Sequence, residues 1–530
     1  MSPEKEAVSP DLDTQKPGKI DTSPKTSVEY VTGFKLVLIV SSVALACFLM
    51  LLDTMVIGTA IPRITDTFNS LPDVGCAAPQ PLTGKIYTSF NSKWTFLAFF
   101  AIFEIGSILC GAAISSNMLI VGRAIAGFGA SGIINGAITI ISSCVPLEKR
   151  PTLIGLTMGL NQLGLVAGPL VGGAFTSYTT WRWCAFTAFF LLFLSIPEQT
   201  RKPNVFIVLS KLHHHLDLVG FLLFAPAILQ LLLALQYGAN QYPWNSPRVI
   251  GLLCGFAANF VVWLIWNRYK GDDALLPHSM LKLRPVWTSA FYQAFMISAV
   301  YGASFFLPIY FQAINNATPV LSGVYLLPTI LPQLVAAGLS GVLLQKMGFV
   351  IPLAVIGTIL LSLGSGLYSI LQPDSPTGYW IGFQLLAGIG SGLSMQLAII
   401  TIQAAVSGEQ LATGMALVIF AQSLGPAMML VLCNVIFLSS LGSQLYEHAP
   451  NANSAAIIKA GATGFRSIVQ MEDLPGVLIA YANSIDRVFY LVAAVAAACG
   501  AVLWGMGWHD LRKKDNKQRS EEDVVEKGDR

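Results

Sequence analysis

The sequence predicts an all-α protein that crosses a lipid bilayer many times. Of its 530 residues, 54% are hydrophobic and only 11% are charged, and the mean hydropathy is +0.64. Soluble domains carry about 25% charged residues and need a polar exterior, so lipid must surround much of this chain. The net charge is only +3, which gives no indication of a nucleic-acid partner.

Apolar segments long enough to span a membrane recur along the chain. A spanning helix needs about 20 mostly apolar residues, and twelve segments meet this requirement. They are Lys35–Ile61, Trp94–Ala113, Leu119–Ser143, Thr152–Ser177, Leu218–Tyr237, Val249–Trp266, Val286–Phe311, Gly323–Leu344, Phe349–Leu371, Tyr379–Val406, Leu411–Leu438 and Val488–Trp508. Two further segments, Val74–Tyr87 and Trp183–Ile196, are short or polar for a span.

The distribution of lysine and arginine indicates that the two short segments also cross the membrane. Basic residues concentrate in short cytoplasmic loops. If neither short segment crosses, Lys85, Lys93, Lys149 and Arg150 lie on the outer side, against this rule. If both cross, these four residues and both basic tails lie in the cytoplasm. We therefore predict fourteen spans.

The predicted spans divide the chain into two blocks of six. A disordered cytoplasmic tail (1–34) precedes the first block (35–196). A cytoplasmic linker (197–216), a helix pair (217–267) and a cytoplasmic loop (268–285) lead to the second block (286–508). That block contains a long outer loop (439–486), for which short apolar pieces suggest an interfacial helix, and a cytoplasmic tail (509–530) ends the chain.

Three ionisable residues, Asp53, Glu104 and Arg123, lie inside predicted spans. At a helix centre each costs about 2.5–3.5 kcal/mol, so such residues usually have a function. Their distances from the helix ends place Asp53 and Arg123 in the outer half of the bilayer and Glu104 nearer its middle. We predict that they handle protons or substrate. A static ion pair between Asp53 and Arg123 is the structural alternative.

Five amide side chains within spans are candidates for lining a substrate cavity. Asn135 shares a helix face with Arg123, and the others are distributed over both blocks: Asn161, Gln162, Gln396 and Gln422. Hydrogen bonding between helices explains their presence equally well.

Two glycine-containing motifs suggest moving parts. In the fifth span, Gly164, Gly168 and Gly172 share one helix face, Pro169 favours a kink, and Gly173 ends the string. The second motif is the loop after the second span, with Gly84, Lys85 and Lys93. A weaker copy, Gly341–Gly348, follows the corresponding span of the second block, as an internal repeat predicts.

Four segments resemble successive signatures of the major facilitator superfamily: Leu52–Pro62, Gly84–Lys93, Gly122–Gly129 and Gly164–Gly173. Together they are similar to its fourteen-span drug:proton antiporters, particularly fungal toxin and multidrug exporters. Asp217–Pro226, Leu307–Gln312 and Phe420–Gly425 fit the same group. The resemblance implies two six-helix bundles, an inserted helix pair, and a central cavity that opens alternately to each side.

The resemblance also implies roles for individual residues. Asp53 and Arg123 fall at motif positions tied to cavity chemistry and proton coupling. The Gly164–Gly173 string corresponds to the antiporter motif, and the Gly84–Lys93 loop to the cytoplasmic gate.

We therefore expect a secondary active transporter, not an enzyme, that exports small organic molecules such as secondary metabolites, toxins or drugs in exchange for protons. It would need the proton gradient but no cofactor, and would act as a monomer in the plasma membrane, with a vacuolar or vesicle membrane as the alternative. Two other functions stay open. One is uptake, for example of an iron chelate or nutrient, and the other is a non-transporting membrane protein with shortened second and sixth spans.

Other kinds of site receive little support. The eight cysteines are scattered singly, and His213–His215 lies in a linker without partnering ligands, so we predict no metal site. A phosphate-binding loop with Lys-Ser/Thr is missing from the sequence, which disfavours an ATP-driven pump. Asn316 heads an Asn-Ala-Thr glycosylation motif, whose use Pro319 disfavours.

Overall fold

The computed structural model describes residues 31–65, 79–112, 115–161, 163–164, 216–240, 242–406 and 410–508. Regular structure in these residues is helical, and eleven helical segments among them are long and apolar enough to cross a membrane. The prediction of an all-α polytopic membrane protein is confirmed. The eleven segments coincide with eleven of the twelve long apolar segments in the sequence, and the remaining one is the fifth span.

The first block contains five described helices. They are α1 (Phe34–Thr65), α2 (Gln80–Ser89), α3 (Ser92–Gly111), α4 (Ser116–Cys144) and α5 (150–161). Side chains cap two of them, since Asn91 accepts from the Trp94 N–H and Ser115 from the Met118 N–H. The short second span is seen as α2. The rest of the fifth span beyond residue 164 and the whole sixth span lie outside the described residues.

The inserted pair and the second block follow. Helices α6 (Leu218–Asn240) and α7 (Pro247–Lys270) form the pair, and only 11% of the most apolar stretch of α7 is buried. The second block comprises α8 (Arg284–Ala313), α9 (Leu327–Met347), α10 (Val350–Leu367), α11 (Thr377–Ser394), α12 (Leu397–Ala405), α13 (Gln410–His448), α14 (Ser454–Gly464) and α15 (Leu474–Val502). Met395 and Gln396 interrupt one span between α11 and α12.

The predicted outer loop 439–486 is mostly helical, which corrects the sequence-based boundaries. Helix α13 continues to His448, α14 occupies the middle of the range, and α15 begins at Leu474. The extensions persist because apolar residues such as Leu441 and Leu445 remain buried on one helix face beyond the membrane-length segment. Hydropathy identifies the part of a helix that is apolar enough for lipid, whereas the helix itself continues as far as its residues pack against the bundle.

An arginine side chain connects the segment after α14 to the end of α8. Arg466 follows α14 and donates from Nη2 to the carbonyl oxygens of Ala313, at 2.8 Å, and Ile314, at 3.1 Å. These carbonyls belong to the last turn of α8, where no intrahelical donor remains for them. The connection is therefore fixed to the bundle by a charged donor at a helix C-terminus.

Helices α3 and α4 pack with their backbones in direct contact. A Cβ atom on Gly106 would meet the backbone of Ala126, and one on Gly129 would meet the backbone of Phe103. We call Gly106 and Gly129 the glycine seam. Because glycine has no side chain, the two helices approach closely enough to hold the buried groups on either side of the seam at fixed spacing.

Candidate functional site

The three ionisable residues predicted to lie within spans come together between α1, α3 and α4. Asp53 is 8% exposed, and its Oδ2 accepts a hydrogen bond of 2.8 Å from Ser107 Oγ. Ser107 lies one turn beyond Glu104 on α3, and both Glu104 and Arg123 lie within electrostatic range of the Asp53 carboxylate. The site therefore holds two carboxyl groups and one guanidinium in a place with little water.

Arg123 has unused hydrogen-bonding capacity. Its Nη2 atom is buried and has no hydrogen-bond partner among the residues that the structure describes. Buried donors are normally paired, so an unpaired one next to two carboxyl groups is typical of a site that takes up a ligand or changes its protonation. The structural alternative, a static ion pair between Asp53 and Arg123, stays open, because such a pair can leave one guanidinium nitrogen unbonded.

A second polar group lies beside α4, nearer the end of the helix that is predicted to face the cytoplasm. Asn135 Nδ2 donates to Thr83 Oγ1 at 3.3 Å, and Asn135 Oδ1 has no hydrogen-bond partner in the described part of the chain. Gln80, also fully buried, has neither amide atom bonded there. Sequence inspection missed Gln80 because it belongs to the short second segment. Its only signal was an amide in the middle of that segment.

The remaining predicted cavity residue of the first block that can be assessed is Asn161. Its Oδ1 atom is buried and lacks a hydrogen-bond partner within the described ranges. Gln162 lies outside those ranges. Asn161 therefore shares with Asn135 the unmet acceptor that a substrate donor could use.

In the second block, the two predicted amides have different surroundings. Gln396 is fully buried and donates to Ser340 Oγ at 2.6 Å and to the Ala337 carbonyl at 3.2 Å, so its amide joins two helices. Gln422 is half-buried and accepts from Gln293 Nε2 at 3.0 Å. Gln293 also donates to the carbonyl of Met395, at 3.2 Å, where the span is interrupted. This amide contact at a helix break was not predicted.

The Gly84–Lys93 motif lies where the two blocks meet. A Cβ atom on Gly84 would be 2.6 Å from Ala416 Cβ and 3.0 Å from the Ala412 carbonyl oxygen, both on α13. Lys85 is buried, whereas the Lys93 ammonium lies over the Trp94 ring at 5.7 Å from its centroid. The motif therefore contacts the opposite block directly.

The fifth span makes a second contact between the blocks. Gln345 Nε2 donates to Thr152 Oγ1 at 2.9 Å, and a Cβ atom on Gly341 would be 2.5 Å from Thr152 Cα. Further along the same helix, Gly164 packs against α1, where a Cβ atom would be 3.1 Å from the Leu52 nitrogen. Gly168, Pro169, Gly172 and Gly173 lie outside the described residues.

These contacts between the blocks share one side of the molecule. Gly84 with Ala416, Thr152 with Gly341, and Ser142 with Gln403, whose Nε2 donates to Ser142 Oγ at 2.8 Å, all lie toward helix ends predicted to face the cytoplasm. We infer that the structure has its cytoplasmic side closed.

An apolar cavity of about 460 Å³ lies beside the start of α3, and four of the nine residues that line it are aromatic: Phe90, Trp94, Phe99 and Phe128. Asn316 is exposed in a turn with φ of 53°, while the hydroxyl of its motif partner Thr318 accepts from the Leu321 N–H. Within the described ranges, three or more His, Cys, Asp or Glu side chains do not cluster as a metal site would require.

Comparison with known proteins gives consistent matches over nearly the whole chain. A family profile described as Major Facilitator Superfamily matches residues 43–430. The MFS-type transporter pigP of Monascus ruber is 50% identical over 521 residues, covering 95% of this chain and 91% of that protein. The efflux pump mlcE of Penicillium citrinum is 44% identical over 518 residues, covering 92% and 93%.

Solved structures agree on the fold. A bacterial homologue of the human lysosomal transporter Spinster, in an inward-facing and occupied conformation, is similar with a TM-score of 0.52 and 16% identity over 90% of this chain and 97% of that one. The human organic anion transporter MFSD10 gives a TM-score of 0.53 and 13% identity over 88% and 100%. At these identities the likeness concerns the fold alone.

Proposed function

Because the chain belongs to the major facilitator superfamily and is a multi-pass membrane transporter, we propose that it exports small organic molecules in exchange for protons. The family predicted from the sequence motifs is confirmed. Among relatives that match over at least nine-tenths of this chain, several are named efflux pumps. Their names support export over uptake and over a protein that does not transport.

The proposal of proton exchange rests on the buried group formed by Asp53, Glu104 and Arg123. Asp53 accepts a hydrogen bond from Ser107, and one Arg123 nitrogen has no hydrogen-bond partner among the described residues. A proton taken up by either carboxyl group removes one negative charge beside the guanidinium. In surroundings of low dielectric constant, such a change is large enough to favour one arrangement of the helices over another.

Substrate would bind where the unmet amide groups lie. Gln80, Asn135 and Asn161 in the first block have amide atoms without hydrogen-bond partners in the part of the chain that the structure describes, and Gln422 in the second block is half-buried. Amides of this kind recognise hydroxyl and carbonyl groups, so a substrate that combines an apolar body with a few polar groups suits them. The energy source is the proton gradient, with no cofactor. We place the transporter in the plasma membrane as a monomer, with a vacuolar or vesicle membrane as the alternative.

The test is efflux from cells expressing the native chain or Asp53→Asn. Cells are loaded with a panel of fluorescent drugs and fungal metabolites, and efflux is followed with and without a protonophore. We expect protonophore-sensitive efflux from native cells and none above the empty-vector level from Asp53→Asn. Asp374→Asn is the matched control, because Asp374 is exposed in the connection between α10 and α11 and should keep native efflux.

The outcomes separate the alternatives. Undiminished coupled efflux by Asp53→Asn, at equal amounts in the membrane, would disprove the role of this carboxyl group. Efflux that ignores the protonophore would disprove proton coupling. Greater accumulation in expressing cells than in control cells would establish uptake in place of export.

A further inference from the structure

The inserted pair α6–α7 contacts the Gly84–Lys93 motif through one lysine. Lys85 is only 7% exposed, and its Nζ donates a hydrogen bond of 2.6 Å to the backbone carbonyl of Asp273, just beyond α7. The two residues are separated by 188 positions in the sequence. A lysine ammonium removed from water is stable only where acceptors and negative charge replace its hydration.

That negative charge comes from the two ends of the inserted pair. Asp217 precedes α6 and Asp273 follows α7, and both carboxylates lie within electrostatic range of the Lys85 ammonium. Lys270 is the opposing positive charge nearby. Two carboxylates and a carbonyl, against one neighbouring lysine, offset part of the cost of removing this ammonium from water.

Asp217 is held in position by backbone and side-chain donors. It is 1% exposed. Its Oδ1 accepts from the Gly220 N–H at 3.1 Å and from Trp266 Nε1 at 2.9 Å, and its Oδ2 accepts from the Leu275 N–H at 2.7 Å. Its own backbone has φ of 45°, a conformation that non-glycine residues rarely adopt. The carboxylate thus joins the start of α6, the end of α7 and the following segment.

The segment that supplies the Asp273 carbonyl is fixed as well. Asn267 exchanges two hydrogen bonds with the backbone of Leu276, at 3.0 and 3.3 Å, and Asp272 Oδ1 accepts from the Ser279 N–H at 2.7 Å. These three hydrogen bonds fix the chain segment immediately after α7. The Asp273 carbonyl is therefore held in place by its own segment, and forming the hydrogen bond with Lys85 requires no further ordering of that segment.

Lys85 is adjacent to the contact between the two blocks. Gly84 touches Ala412 and Ala416 of α13, so α2 is placed against the second block by one residue and against the inserted pair by the next. Helix α6 itself packs on α13, with the rings of Phe224 and Phe420 5.3 Å apart. If α2 moves away from α13 while α6 stays in contact with it, Lys85 leaves its carbonyl and its two carboxylates. The inserted pair consequently acts on the same movement that opens the cytoplasmic side.

We propose that the inserted pair α6–α7 is a docking site for Lys85 that stabilises the arrangement with the cytoplasmic side closed. Lys85 is a positioning residue in this proposal, since it acts through α2 and contacts neither proton nor substrate. The pair thereby has a role in the transport cycle beyond joining the two blocks.

The test measures closure by cross-linking. Thr152 and Gln345, which are hydrogen-bonded across the two blocks, are replaced by a cysteine pair in the full-length protein, and disulfide formation is followed in membranes. Lys85→Met, Lys85→Gln and Lys85→Arg are then added separately. Lys282→Met is the matched control, because Lys282 is an exposed lysine in the connection between α7 and α8 that also contains Asp273. Thr152→Cys and Gln345→Cys alone control for reaction with native cysteines.

We expect the cross-linking rate to fall about tenfold with Lys85→Met, because a charged hydrogen bond of the closed arrangement is lost. Lys85→Gln should give an intermediate rate, and both Lys85→Arg and Lys282→Met should keep the native rate. Trp266→Phe, which loosens Asp217 without touching Lys85, should also slow the reaction. If Lys85→Met does not reach the membrane, the cross-linking rates of Lys85→Gln and Trp266→Phe decide the test.

Two results would overturn the proposal. One is an unchanged cross-linking rate in Lys85→Gln and Trp266→Phe together. The other is an equal loss in Lys85→Met and Lys282→Met, which would show a general effect of charge. The measurement uses no substrate and no proton gradient, so its failure is distinguishable from failure of the proposed exchange.

Discussion

Replacing Gly341 by alanine tests whether the contact with Thr152 holds the cytoplasmic side closed. The added methyl carbon would lie 2.5 Å from Thr152 Cα. Carbon atoms in ordinary contact are about 3.5–4.0 Å apart. The obstacle is backbone and not the end of a flexible side chain, so the two helices must separate by about 1 Å.

The size of the effect follows from this overlap. Inserting a methyl group into a well-packed contact costs about 1–3 kcal/mol. The cost applies only while the blocks are in contact, and each 1.4 kcal/mol changes an equilibrium constant about tenfold. We therefore expect the closed population to fall about 5- to 150-fold relative to the open one.

Gly338→Ala is the matched control, because Gly338 is one turn away on α9 and a Cβ atom there meets nothing within 4 Å. Both substitutions gain about 1 kcal/mol of helix propensity, so their difference isolates the contact. The assay is labelling of a cysteine placed at Ser142, which is buried between the blocks. Gly341→Ala should accelerate labelling by a membrane-permeant maleimide, and Gly338→Ala should not. Equal rates in the two variants would refute the reasoning.

Two further predictions concern single hydrogen-bonded groups. Ser107→Ala removes the hydroxyl that donates to Asp53 and should reduce proton-driven efflux several-fold, whereas Ser107→Thr should retain it; native efflux by the alanine variant would contradict this. Arg466→Gln removes the charged donor to the end of α8, where a hydrogen bond from a charged group contributes about 1.5–3 kcal/mol. Thermal unfolding of the purified protein in detergent should then begin several degrees lower, and Lys459→Gln on the exposed side of α14 should unfold as the native protein does.

The long spans were predictable because lipid imposes a simple requirement on composition. Eleven of the twelve long apolar segments are spans by length and hydropathy among the described residues. The count of fourteen stays a prediction, since the second span is seen only as Gln80–Ser89 and the sixth is not described. A helix within 439–486 was suggested by its short apolar pieces, but the extension of α13 and α15 into this range was missed, because its stability comes from burial against the bundle, which composition alone does not reveal.

The charged members of the site were predictable, and their partners were not. Asp53, Glu104 and Arg123 stand out because a charge in a span is costly wherever it lies. Ser107 is one of many serines, and only the approach of α3 to α1 gives it a role. Gln293 and the docking of Lys85 depend on contacts between residues more than a hundred positions apart, for which a single sequence contains no signal.

The glycine seam has a consequence for how the first block tolerates sequence change. At Gly106 and Gly129 the backbones of α3 and α4 come so close that even a methyl group would collide with the facing main chain. Because backbone yields less than the end of a side chain, this contact resists any change in the spacing of the two helices, and with it in the distance between Ser107 and Arg123. Any larger residue at either position would lengthen that spacing, so we expect these two positions to tolerate substitution less well than the lipid-facing positions nearby.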